Sequence, residues 1–127
     1  CDTAAMCLRV FTQMLSTMRP KPENMLRAAK QGFLNATDLA DYMVSKGLPF
    51  RDAYKISGSI VADCMARGTV LEDYPLEAYQ THSPLIGPDV YAAVDLTACV
   101  AKRTSYGGTC AASVERQIRE VRERLET

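Results

Sequence analysis

His82 is the chain's one histidine, and it sits in the segment Thr81-His82-Ser83-Pro84-Leu85. An imidazole can act as a general base, but covalent catalysis also needs a nucleophile within its reach. The pattern places no Cys or Ser against it, so His82 reads as a side chain at a helix end, beside the negative terminus of the dipole. Asp38 and Asp41 are three residues apart and share a helix face. Paired carboxylates can hold a metal or exchange protons. The plainer reading has Asp38 supporting a helix start and Asp41 solvated or paired with a nearby cation such as Arg51. Gly107-Gly108-Thr109 precedes a final helix, and amides at such a start can hold an anion. A lone Gly-Gly lacks phosphate-loop or dinucleotide spacing, so it reads as a turn and cap. No catalytic, cofactor-binding or metal-binding residue is nominated.

Composition narrows the classes further. The five cysteines, Cys1, Cys7, Cys64, Cys99 and Cys110, form no CxxC pair. With one histidine, a zinc site has little support. The odd count and the lack of a secretory segment predict free thiols in a reducing, cytoplasmic setting. Fifteen basic residues balance fifteen acidic ones, unlike the basic excess of nucleic-acid binders. Trp is absent and aromatics are few, which disfavours base-stacking platforms. No apolar run reaches the roughly 20 residues of a membrane span.

The elements that would position these residues are helical throughout. Met6, Val10, Met14 and Met18 repeat every four residues with Cys7, Phe11 and Leu15 beside them. They predict a first helix from about Asp2 to Met18 with an apolar stripe wider than a small protein's surface helix requires. Pro22 suits the first position of a second helix, which Gly32 ends. In Asn35-Ala-Thr-Asp38, Asn35 is placed to cap a third helix, Ala36 to Lys46, with Leu39, Tyr42 and Met43 inward. Gly47 supplies the left-handed stop and Pro49 blocks continuation. A fourth helix follows from Phe50 to Arg67, with Ala53, Tyr54, Ser57, Ile60, Val61, Cys64 and Met65 inward. Ser57, Gly58 and Ser59 read as small residues that admit a crossing helix, and Gly68 as the stop. A short extended link leads to one or two helical turns over Pro75–Gln80. Pro88 opens another helix that continues, with a break, to Lys102. The last helix runs from about Ala111 to Glu126 and carries Val114, Ile118, Val121 and Leu125 on one stripe. Its other faces interleave Arg116, Arg119, Arg122 and Arg124 with Glu115, Glu120, Glu123 and Glu126, a solvated pattern from which several arginines could reach a partner subunit. No segment alternates at period two.

Three segments together resemble one family. Ala36–Tyr42, Lys46, Gly47, Pro49, Phe50 and Arg51 match the pattern A-T-D-L-A-D-Y-L-V-x-K-G-x-P-F-R-x-A-H of the C-terminal domain of argininosuccinate lyases. Ser83-Pro84-Leu85 with Asp89-Val90 is similar to the family's S-P-L-F-x-x-D-V. Gly107-Gly108-Thr109 with Val114 and Gln117-Ile118 is similar to G-G-T-A-x-x-x-V-x-x-Q-I. The segments fall in order and in register over nearly the whole chain. Tyr54 stands where the family commonly has His, Ile86 where it has Phe, and Ala111-Ala112 lacks a common proline.

The resemblance implies an all-α fold of helix–turn–helix hairpins packed across one another, preceded by the end of a long bundle helix. Residues 1–19 would be that bundle end and 20–127 the C-terminal helical domain, with the terminal helix closing its side. It also implies an enzyme of arginine biosynthesis, a homotetramer that cleaves argininosuccinate to arginine and fumarate without a cofactor. The family's catalytic loop, Gly-Ser-Ser-x-Met-Pro-x-Lys-x-Asn, does not occur here, so the chain alone is expected to be inactive. The start at Cys1-Asp2-Thr3, already inside a helix, reads as a piece of a longer protein. The alternatives are a stand-alone helical interaction module and a crystallin-like structural relative.

Overall fold

The computed structural model describes residues 2–126. Among them are eight α-helices and a short 3-10 turn, with no strand. The helices are α1 (Asp2–Thr17), α2 (Pro22–Gln31), α3 (Ala36–Ser45), α4 (Phe50–Arg67), α5 (Leu76–His82), α6 (Val90–Val94), α7 (Leu96–Ala101) and α8 (Ala111–Leu125). Cys1, read above as a free thiol, lies outside the described residues. Cys7, Cys64, Cys99 and Cys110 are unpaired thiols.

The body is the hairpin of α3 and α4, with α6 against α3 and α5 against α4. Its turn forms because Gly47 adopts φ 100°, a value open to glycine and strained for other residues, and Pro49 then sets the extended lead into α4. Leu39 and Met43 from α3 meet Ala53, Ile60 and Cys64 from α4, all fully buried. Leu71, Tyr74, Tyr79, Ile86, Val90 and Val94 close the core. The Tyr74 and Tyr79 rings pack edge to face at 4.9 Å, a favoured aromatic geometry. Ser57 is the small residue that lets α3 and α4 approach, and its hydroxyl donates to Ala36 O at 2.7 Å.

Several local expectations change. Tyr54 and Met65, expected inward, are 63% and 67% exposed. The three-four spacing on α4 spans more of the helix surface than α3 and α5 cover. Gly58 meets no neighbour within reach of a Cβ, so it plays no part in the crossing. Asn35 stands at the N-cap position but makes no capping bond; its buried amide donates instead to Val94 O at 2.6 Å. Gly32 ends α2 with right-handed geometry, and the left-handed residue is its neighbour Phe33, at φ 50°. The link after Gly68 contains the 3-10 turn Leu71–Asp73 rather than a simple extended strand of chain. The break between α6 and α7 falls at Asp95, whose carboxylate accepts from Ala98 N at 2.7 Å and caps α7. α8 does not close the side: Ser113 is its one buried residue, and its apolar stripe faces outward.

Candidate functional site

The ionisable side chains of the body gather in three clusters. In the first, Asp38 lies on the buried face of α3 and its carboxylate receives Arg103 Nη2 at 2.7 Å. Asp38 has 5% of its side chain exposed against 44% for Arg103, so the pair joins a buried anion to a cation reaching in from the surface. Asp41, Tyr42, Ser45, Ala93 and Lys102 line a groove around it. Asp41 itself is exposed and forms no ion pair with Arg51. Asp38 and Asp41 therefore do not act as a carboxylate pair: one is locked to Arg103 and the other faces solvent.

The second cluster fastens the segment before α6 to α3. Tyr42 donates to Asp89 Oδ1 at 2.7 Å and accepts from Gly87 N at 3.1 Å. Lys46 Nζ reaches Asp89 Oδ2 at 2.7 Å. The Lys46 bond, then the Tyr42 bond, holds the Asp89 carboxyl below the usual aspartate range. Burial, reinforced by the bond to Asp89, raises the Tyr42 phenol.

The third cluster surrounds His82. Tyr74 donates a short hydrogen bond to Asp63 Oδ2. Arg67 Nε meets the same oxygen at 2.9 Å, and its guanidinium lies 5.5 Å from the Tyr74 ring centroid. The Tyr74 hydroxyl is also 3.4 Å from His82 Nε2. The Tyr74 bond, followed by Arg67, depresses the Asp63 carboxyl, while burial pushes the Tyr74 phenol up to about 12. His82 closes α5, as its position before Pro84 predicts. No serine or cysteine hydrogen-bonds to it; its partner is a phenol already committed to a carboxylate.

The Gly-Gly turn is closed on itself. Gly108 N donates to Ser105 O and Cys110 N to Arg103 O, so these amides are not presented to an anion. Gly107 adopts φ 77°. A Cβ on Gly108 would sit 2.1 Å from Arg103 O, so this close approach demands glycine. Cys110 occupies the N-cap of α8 and its thiol donates to Ser113 Oγ at 3.3 Å; hydrogen bonding with Ser113, side chain first and then backbone, draws the thiol below the ordinary range.

Sequence reasoning found Asp38 and His82 but missed Arg103 beside the first and Tyr74 and Asp63 beside the second, and it did not link Asp89 to Lys46 and Tyr42. The Arg67–Asp63 spacing of four was the one local signal available. Asp38 and Arg103 are 65 positions apart, a pairing that local periodicity does not reach.

The described residues form an all-α module in which three clusters of charged groups tie its own segments together. Its family follows from comparison. Residues 33–101 match the model described as argininosuccinate lyase C-terminal, and the chain belongs to that family. It is 47% identical to the argininosuccinate lyase of Acetivibrio thermocellus over 92% of this chain and 26% of the relative. It is 46% identical to that of Pelotomaculum thermopropionicum, over 98% of this chain and 27% of the relative. The argininosuccinate lyase of Desulforamulus reducens is 44% identical over 98% of this chain. The chain spans about a quarter of the length of these curated relatives.

Proposed function

We propose that this chain is the C-terminal part of an argininosuccinate lyase and supports the active site without supplying its reacting groups. The complete enzyme would split argininosuccinate into arginine and fumarate by removing a proton beside a carboxylate and stabilising the resulting negative charge. The observation that carries the supporting role is the spent state of the polar clusters. Asp38, Asp63 and Asp89 are each bound to a cation of this chain, and His82 faces the Tyr74 phenol, which is already bonded to Asp63. The family match and the quarter-length coverage support the assignment to a larger enzyme.

In this reading residues 1–19 are the end of a long bundle helix and residues 20–127 a helical domain. The tetramer, the argininosuccinate substrate and the cytoplasmic setting follow from the resemblance. The exposure of Met6, Val10 and Met14 on α1, and of Met18 just beyond it, favours a helix made to be covered. A fumarate-release assay on the purified 127 residues with argininosuccinate tests the reading. No turnover above the uncatalysed rate is expected, and measurable turnover would overturn it.

A further inference from the structure

α8 leaves one apolar stripe uncovered. Val114, Ile118, Val121 and Leu125 recur at steps of four, three and four, the seam spacing of a coiled coil. Their exposures are 40, 46, 55 and 80%. With Ile118 and Leu125 at heptad position a and Val114 and Val121 at d, Arg116 and Glu120 fall on the outer face. Those two already serve this chain: the Arg116 guanidinium stacks 5.4 Å from the Tyr106 ring centroid, and the Tyr106 hydroxyl donates to Glu120 at 3.0 Å. The intramolecular contacts of the Tyr106 turn thus hold the side away from the seam.

We infer that α8 is a self-docking surface, occupied by α8 of a second copy of this chain running antiparallel. Charge decides both the occupant and its direction. The e positions are Glu115 and Arg122, and the g positions are Gln117 and Arg124. In an antiparallel pair an a residue faces a d residue and e faces e across the twofold axis. Glu115 of each copy then meets Arg122 of the other, so two ion pairs form at once and no like charges are opposed. The apolar layers set Val114 against Leu125 and Ile118 against Val121, each twice. A parallel pair would bring g against e, which here gives Gln117 against Arg122 and no ion pair. Neither Glu115 nor Arg122 is in an ion pair within its own chain among the described residues. Four apolar layers make a small interface, so the association is weak and concentration-dependent. The inference stands on the pattern of α8 and does not rest on the lyase reading.

Sedimentation equilibrium of the full 127-residue chain, with helix content checked by circular dichroism, tests it through a charge swap. Glu115→Arg and Arg122→Glu each replace two attractive contacts with two repulsive ones and should weaken self-association by about tenfold. The double variant restores opposite charges across the twofold and should return to within about threefold of the wild type. Residues 115 and 122 are too far apart on one helix to pair with each other, so the rescue reads the intermolecular contact. Association through α1 would be the same in all four proteins and cancels. A monomeric wild type at every concentration, single variants that leave the constant unchanged, or a double variant no better than the singles would each overturn the inference.

Discussion

Tyr42 shows how much one side chain can hold. Its hydroxyl donates to Asp89 and accepts from Gly87 N, so it closes two bonds between α3 and the segment that leads into α6. Tyr42→Phe leaves the ring in place and removes both. A loss of about 1–3 kcal/mol is expected, read as a lower denaturation midpoint with unchanged helix content. Asp63 and Asp89 carry a pH dependence of definite sign. Both are held below the ordinary aspartate value of 3.8, Asp63 first by Tyr74 and Asp89 first by Lys46. Their contribution is fully present above 3.8, because the unfolded chain already has them ionised there. It is lost as pH falls below 3.8 through the depressed folded values. Thermal melts between about pH 5 and pH 2 should therefore show a decline that Asp63→Asn and Asp89→Asn make shallower. At this scale the sequence is a partial guide. Asp38 was legible as a helix-start residue from its spacing, but the cation that makes it an ion-pair anchor is Arg103, 65 positions on. The same distance problem conceals Asn35, whose cap-like position predicts a local bond and whose amide is used 59 positions away.

Among the elements, boundaries set by backbone chemistry were legible. Gly47 and Gly68 end α3 and α4 in left-handed geometry because glycine pays no steric penalty there. Facing was less so. Tyr54 and Met65 fit the inward period of α4 yet stand in solvent, since the period fixes a stripe and not the width of what packs on it. The α6–α7 break illustrates a cap that composition alone did not locate. Asp95→Ala removes the acceptor for Ala98 N and should destabilise the protein by about 1 kcal/mol in chemical denaturation, whereas Asp95→Ser should retain most of the cap.

For the molecule as a whole, the buried core cluster runs from Leu39 to Val94, and α1 adds nothing to it, since none of its residues is buried. Replacing Val10 and Met14 together by Lys should leave the cooperative melting temperature of the body within about 2 °C, while a core change of similar size would lower it far more. Dye binding to exposed apolar surface should fall in the same variant. A large drop in melting temperature would mean that α1 packs on the body.

The connector to α8 has a mechanical meaning. Arg103 holds the body through its side chain on Asp38, and its carbonyl accepts the amide of Cys110 at the start of α8. Arg103 thus pins the connector of the C-terminal rod to the body. α8 has 15 residues, which at 1.5 Å each make a lever about 22 Å long. A tilt of about 10° at the pin would carry the tip of the rod through about 4 Å, roughly the width of a side chain, so small adjustments at Arg103 become large changes of reach at Leu125.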